Sequence, residues 1–471
     1  MGASSFLAGK MAGYLAFPPT ECQTRLFGAI AEFAVQYGEC DLLLVRGYAG
    51  TGKTSAISAF VRTLKELGYN YVLLSPTGRS AKVLSGFTGE KASTIHKHIY
   101  RQKSLAGGIG EFQLNVNKAK DTFFIIDEAS LISTSSAVMQ DSIFGSGDLL
   151  SDLISFVRSG VDNKMVIIGD KGQLPPVGME LSPALDENYM AQFGKVTVAD
   201  LTTVVRQAEG SGILTNATIV RSLIEKEVAD VPKLRLKGFP DVERISGGEL
   251  IETISDAVGR YGLDNIVVLC RSNKRANRYN AGIRSTVLYR EERLTRGDKL
   301  MVVKNCYQFL EDVPELDFIA NGDVAELLKI SRYEERYGLN FAEARLSFPD
   351  YNDVEITAKI ILDTLDSEAP ALTAEQNKAL FDGVNEDYAD EKNSRKRYRK
   401  VREDIYFNAL QIKYATAITC HKSQGGQWDC VFIDNPFWKE PETDDLKWLY
   451  TAITRGVKKV YFVNFKDEYF E

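Results

Sequence analysis

Eight consecutive residues, Gly47-Tyr48-Ala49-Gly50-Thr51-Gly52-Lys53-Thr54, have the make-up of a loop that holds phosphate. Glycines adopt backbone conformations that side chains forbid, so successive N–H groups can turn inward on an anion, and a following helix adds its positive end. In such a loop Gly50, Thr51 and Gly52 form the cradle. Lys53 reaches the β and γ phosphates of ATP, and the Thr54 hydroxyl is a ligand for Mg²⁺. The apolar run LLLV before the loop and the pattern SAISAF after it predict the strand and helix that the cradle needs.

A second pair of chemical residues closes the run FFIIDEAS. Asp127 is placed to hold Mg²⁺ through water and Glu128 to polarise an attacking water, two tasks that phosphoryl transfer requires beside the γ-phosphate. Further on, IIGDKGQLPPVG sets Gln173 between Asp170 and the stiff Pro175-Pro176 pair, where a side-chain amide can sense the γ-phosphate. These groups define a nucleotide site. They leave open whether the chain is a kinase, a switch, a transporter or a motor.

The elements that must position them alternate. From Asp41 to Asp170 short β-rich runs (LLLV, YVLLSPT, FFIIDE, MVIIGD) are separated by helical patterns, which predicts a parallel α/β sheet with its functional loops at the strand C-termini. IVVLCRS, CVFID and KVYFVNF predict a second core of the same kind. Between them KLMVVKNCY, GDVAELLKI, ARLSF and VEITAKIIL read as short strands of a small β-barrel-like insertion. The polar stretch 375–402 is helical in pattern and ends in KNSRKRYRKVR, either a solvated helix face or an arm that contacts phosphates. KSLAGGIGEFQLNVNK reads as a β-hairpin, with a plain surface loop as the alternative.

At 471 residues the chain exceeds what one core supports. Its net charge of −7 excludes nucleic-acid binding by overall basicity, though not by a basic groove. Six cysteines without a CxxC pair and three histidines exclude a structural zinc site and fit a reducing compartment. No apolar run reaches the length of a membrane span, so a cytoplasmic protein without membrane contact is expected.

GYAGTGKT, LLSPTGRSAKVL, ASTIHKHI, FFIIDEAS, IIGDKGQLPPVG, LTTVVRQ, AITCHKSQGGQWDCVFI and LYTAITRG follow one another in the order of the motifs of superfamily 1B DNA helicases. The chain resembles the RecD and Dda branch of that family from Gln23 to Gly456. The resemblance implies two RecA-like parallel-sheet cores with ATP between them: 1–96 with 121–182, and 183–294 with 406–471. A hairpin wedge would occupy 97–120 and an SH3-like insertion with its helical arm 295–405. Gln23 would read the adenine edge. Arg206 and Arg455 would reach the γ-phosphate from the second core, where a guanidinium stabilises transition-state charge. Thr77, Lys82, Thr94, His96, Asn273, Thr419, His421 and Lys422 would grip the phosphates of one strand, Gln424 would couple strand and ATP sites, and Phe112 would be the wedge residue.

The function implied is an ATP- and Mg²⁺-dependent helicase moving 5′-to-3′ on single-stranded DNA and opening fork DNA in replication, recombination or repair. It would work as a monomer beside replication or repair proteins. Two rivals remain at this point: a single-strand translocase that displaces proteins, and an ATP-switched subunit of a nuclease complex. RNA as the track also stays open, because phosphate contacts do not read the sugar.

Overall fold

The computed structural model describes residues 2–36, 41–102, 112–134, 146–205, 210–310, 313, 316, 318–437 and 439–471. Among the described residues two parallel sheets, a closed barrel and a two-stranded ribbon organise the backbone. The first has six parallel strands in the spatial order Ala92–Thr94, Asn70–Ser75, Thr122–Ile126, Lys164–Gly169, Leu42–Gly47 and Val196–Leu201. The three strands Leu42–Gly47, Thr122–Ile126 and Lys164–Gly169 are buried almost throughout, so they read as unbroken apolar runs rather than alternating ones. All three end at residues singled out above for chemistry.

The second sheet has five parallel strands in the order Ala417–Thr419, Ile266–Cys270, Trp428–Asp434, Gly456–Val463 and Val242–Ile245. Inserted in the second core, between Ile266–Cys270 and Ala417–Thr419, is a closed barrel of Lys299–Val302, Val324–Arg336, Leu339–Phe348, Val354–Ile361 and Leu410–Tyr414. Closure removes the open edges that a small sheet would otherwise expose. The expected pair of parallel cores and barrel insertion are therefore present.

Two strands move the expected boundaries. Val196–Leu201 pairs with the strand leading into the phosphate loop, so the first core runs beyond 182. Leu410–Tyr414 closes the barrel against Lys299–Val302 and Val354–Ile361, so the barrel runs beyond 405. Both were assigned to the second core because each is a short run whose partner lies far away in sequence.

Tyr100–Gln102 and Phe112–Leu114 pair antiparallel, which forms the base of the expected hairpin. Residues 103–111 lie outside the described residues, and of Phe112 only the backbone, paired with Gln102, is described. The helices Ala374–Asp387 and Ser394–Glu403 pack on one side of the barrel through Leu380, Val384 and Val401, next to Leu339 and Phe341.

Candidate functional site

The phosphate loop leaves its strand at Gly47 and enters the helix Lys53–Glu66. Gly50 and Gly52 hold φ of +76° and +83°, a left-handed backbone that side chains rarely adopt. Space is equally decisive at Gly52, where a Cβ would lie 2.3 Å from Nε2 of Gln23. Gln23 is buried beside the loop. Its amide nitrogen donates to the Thr51 carbonyl at 3.4 Å, and its amide oxygen accepts from the Thr20 N–H at 3.0 Å. The nitrogen end of that amide thus braces the loop while its oxygen end caps the helix Glu21–Val35, a role the sequence reading did not foresee. Nζ of Lys53 donates to the carbonyls of Gly47 and Tyr48 at 2.5 and 2.9 Å and stands 3.6 Å from the Asp170 carboxylate.

Asp127 and Glu128 follow the strand Thr122–Ile126, with Glu128 in the left-handed region at φ 55°. Burial, together with the adjacent Glu128 charge, pushes the Asp127 carboxyl up to about 7. Two neighbouring carboxylates that repel each other in a buried place favour a cation. Among the described residues no group of three His, Cys, Asp or Glu side chains could hold a metal by itself. A divalent ion would depend instead on Thr54, Asp127 and the oxygens of a nucleotide, which is the donor set that Mg²⁺ prefers.

The loop Asp170–Leu174 is where the cores meet. The buried Asp170 accepts from the Tyr450 hydroxyl at 2.8 Å and from the Gly172 N–H at 2.9 Å. That same Tyr450 oxygen accepts the Ala49 N–H of the phosphate loop at 2.7 Å. One fully buried hydroxyl of the helix Thr443–Ile453 therefore touches two parts of the first core's nucleotide site. Two positions on, the Leu174 N–H donates to Oγ1 of Thr451 at 2.8 Å, and its carbonyl accepts from Nε2 of Gln424 at 2.5 Å. Gln173, between them, is buried, and its amide oxygen has no hydrogen-bond partner among the described residues. An unmade bond of that kind is costly, and an arriving water or ligand donor would complete it.

Arg455 is buried and donates only to neutral oxygens: the Thr451 carbonyl at 3.1 Å, the Gly426 carbonyl at 3.3 Å and the Thr454 hydroxyl at 3.2 Å. It has no ion pair among the described residues, so its charge is open to an anion. Arg206 lies outside the described residues. The chain entering it is anchored, because the Val205 N–H donates to the Gly50 carbonyl at 2.9 Å.

The candidates for the strand are more dispersed. Thr77 caps the helix Gly78–Thr88, its hydroxyl accepting the Ser80 N–H at 3.2 Å. Gly425 of the second core, at φ +74°, lies against this cap: a Cβ there would sit 3.2 Å from Oγ1 of Thr77. Arg79 crosses the same seam and stacks on Trp428, 3.9 Å from the ring centroid. Lys82 is held by the barrel, donating to the Pro349 carbonyl at 2.7 Å beside Asp350 at 3.6 Å. Thr94 caps the short helix Ile95–Ile99 through the Lys97 N–H. His96 lies among the rings of Tyr100 and Phe318, and burial pushes its imidazole down to about 4. A neutral imidazole can meet a phosphate only through a hydrogen bond, not through charge.

Asn273, Thr419 and Lys422 do come together. They line one shallow cavity between the second core and the barrel, with Lys413 beside them. Lys422 makes no hydrogen bond or ion pair among the described residues, and burial with the nearby Lys413 pushes its ammonium down to about 8. His421 beside it is exposed.

Against this geometry stand the comparisons with known proteins. The AAA domain family matches residues 30–229, and the UvrD-like helicase C-terminal domain matches residues 414–463. The ATP-dependent RecD2 DNA helicase of Deinococcus radiodurans is 29% identical over 174 residues, covering 37% of this chain and 21% of that protein. The ATP-dependent DNA helicase dda of Enterobacteria phage T4 is 24% identical over 459 residues, covering 89% and 93%. These similarities are consistent with the superfamily 1B helicases of the RecD and Dda type that the motifs resemble. A solved Pif1 helicase from Bacteroides, in complex with ADP-AlF3 and ssDNA, matches at 16% identity over 97% of this chain and 95% of that one, with a TM-score of 0.47. The chain spans only 21% of the length of RecD2 and 36% of another curated relative.

The sequence reading singled out the phosphate loop, the carboxylate pair, Gln173, Gln424 and Arg455, whose surroundings are those described above. It missed Asp170, Tyr450 and Thr451 as parts of the seam and Lys413 beside Lys422. The signal for Tyr450 and Thr451 was present in LYTAITRG, from which only the arginine was taken.

Proposed function

We propose that this chain is an ATP-driven motor that moves 5′-to-3′ along single-stranded DNA and opens duplex at forks, acting as a monomer in replication, recombination or repair. The observation that carries the reading is the loop Asp170–Leu174, which meets Lys53 and the phosphate loop on one side and Tyr450, Thr451 and Gln424 of the second core on the other. Gln424 precedes the glycine that lies on Thr77, so the contacts of the nucleotide site run directly into the candidate strand face. RecD2 and dda, the relatives above, are both named as ATP-dependent DNA helicases.

ATP with Mg²⁺ would supply the phosphoryl bond whose cleavage drives the cycle. Lys53, Thr54 and Asp127 would hold that group, with Gln23 bracing the loop. Glu128 would accept a proton from the attacking water, and Gln173 would orient that water through its free amide oxygen. Arg455, and Arg206 from the neighbouring segment, would answer the developing charge and draw the second core inward. Thr77, Thr94, Asn273, Thr419, His421 and Lys422 would hold the strand, Lys82 joining them on release from Pro349. Opening a base-pair step costs about 1.4 kcal/mol on average, so pairing itself is a modest load. No helix among the described residues is long and apolar enough to cross a membrane.

The test uses short duplexes bearing a 5′ or a 3′ single-stranded tail, with ATP and Mg²⁺, and ATP hydrolysis with and without single strand. Opening of the 5′-tailed duplex alone is expected. Strand-stimulated hydrolysis with neither duplex opened would replace the helicase by a translocase, and hydrolysis indifferent to the strand would point to a partner-dependent switch.

A further inference from the structure

The helix Ser394–Glu403 carries SRKRYRKVRE, and seven lysine or arginine side chains fall between positions 392 and 402. Local stability does not account for them. Asn393 caps the helix by accepting the N–H groups of Arg395 and Lys396 at 3.0 and 3.2 Å, so the first turn is already satisfied. Placing Arg395, Lys396 and Arg397 in that turn opposes the positive end of the helix. Arg395 with Arg399, and Lys396 with Lys400, are like charges one turn apart, a destabilising arrangement.

Nor, among the described residues, do acidic partners neutralise Lys392, Arg395 and Arg397. Lys392, Arg395 and Arg397 make no side-chain hydrogen bond or ion pair among the described residues, and Lys396 only feels Glu391 at a distance. Arg399 pairs at 3.8 Å with Glu403 on its own helix, and Lys400 at 3.6 Å with Glu391. The neighbouring helix Ala374–Asp387 is acidic, yet of its carboxylates Asp387 is committed elsewhere, to Arg336 and Tyr337. The helix is nevertheless fixed in place: Val401 is fully buried, and the Tyr398 ring lies 6.0 Å from Phe381. Lys392, Arg395, Lys396, Arg399 and Lys400 are exposed. A protein with a net charge of −7 thus presents a rigid, concentrated row of cations on the outside of its barrel.

We propose that this face of the barrel is a docking surface for the phosphate backbone of double-stranded DNA, distinct from the strand-holding groove around Lys422. Ten residues make a rod about 15 Å long, and a duplex carries one negative charge per about 1.7 Å of its axis, so a straight row of fixed cations matches a stiff duplex. A single strand is commonly held by several stacking aromatics, and this helix offers Tyr398 alone, with Arg402 already over its ring. The proposal rests on the DNA-motor reading above, with the duplex ahead of the fork as the ligand.

The test is the triple variant Arg395→Gln, Lys396→Gln, Arg399→Gln in the full chain. Glutamine keeps helix propensity and removes repulsion, so the melting temperature should not fall. Binding of labelled blunt duplex and of a single strand of equal length is followed against salt concentration, alongside strand-stimulated ATP hydrolysis. The expected result is weaker duplex binding, with a salt slope shallower by about two to three, and unchanged single-strand binding and hydrolysis. Unchanged duplex binding overturns the proposal, as does an equal loss for both nucleic acids. A wild-type protein without strand-stimulated hydrolysis would sink the motor reading, while the duplex measurement would still decide the role of this helix.

Discussion

The seam between the two cores and the face that would carry a strand are built differently. At the seam the polar groups of the second core find partners in the first: Tyr450 on Ala49 and Asp170, Thr451 on the Leu174 N–H, Gln424 on its carbonyl. On the strand face the groups are in unlike states. Lys82 is taken by the barrel, His96 is neutral among rings, and Lys422 is unpaired among the described residues. The seam's two halves belong to one chain, so most of its polar groups are completed internally, the Gln173 amide oxygen being the exception among the described residues. A strand face is completed by a molecule outside the chain, and its residues are left either spare or borrowed.

The comparison is broken most forcefully at Glu128, which should affect turnover and neither surface. Glu128→Gln should lower strand-stimulated ATP hydrolysis by about 10²- to 10⁴-fold, the usual worth of a general base, with nucleotide and single-strand binding retained. Steady-state hydrolysis with a labelled-nucleotide titration checks it. Loss of binding in step with turnover would show that Glu128 builds the site instead of working in it.

The seam itself is sharpened by Tyr450→Phe, which keeps the ring and removes the hydroxyl. Ala49's N–H and one Asp170 oxygen then lose a buried partner, at about 1–3 kcal/mol of stability. If this hydroxyl links the cores, strand stimulation should also fall by about 2- to 30-fold, a coupling of about 0.5–2 kcal/mol, with hydrolysis in the absence of strand little changed. Thermal denaturation together with hydrolysis at saturating and zero strand separates the two effects. A stability loss with stimulation intact would make Tyr450 a packing residue.

The same contrast explains what could be read from the residues alone. The cradle Gly47 to Thr54, the pair Asp127-Glu128 and the apolar runs that position them are local in sequence, because backbone freedom, helix polarity and strand burial act over a few residues. Val196–Leu201 and Leu410–Tyr414 were misplaced because a strand's sheet is decided by its neighbour: Val196 pairs beside Leu42 and Leu410 beside Ile360. Tyr450 was passed over for a sharper version of that reason, since its partners Asp170 and Ala49 stand 280 and 401 positions away. Lys422 and Lys82 are both lysines in motif-like settings, and nothing in their immediate sequence tells that the barrel has claimed one of them.

That last difference yields the smallest and most discriminating effect. Lys422→Ala should make the salt slope of single-strand binding shallower by about one, whereas Lys82→Ala should change it less, because Lys82 must first give up Pro349 and Asp350. The two lysines should also respond differently to pH. Burial and Lys413 hold the Lys422 ammonium at about 8 in the folded chain, well below its ordinary value of 10.5. Between these values the unfolded chain keeps a proton that the folded one has released, so folding stability rises with pH across that window, and Lys413, also near 8 with Asp366 opposing its shift, contributes with the same sign. Strand binding runs the other way. A phosphate favours the charged ammonium, so affinity should fall as pH rises from 7 to 9, while His421, already held below its ordinary value, is neutral throughout. Lys422→Ala should flatten most of that fall and Lys82→Ala should leave it in place. An undiminished fall in Lys422→Ala would transfer the phosphate contact to Lys413 and place the strand on the barrel side of the cavity.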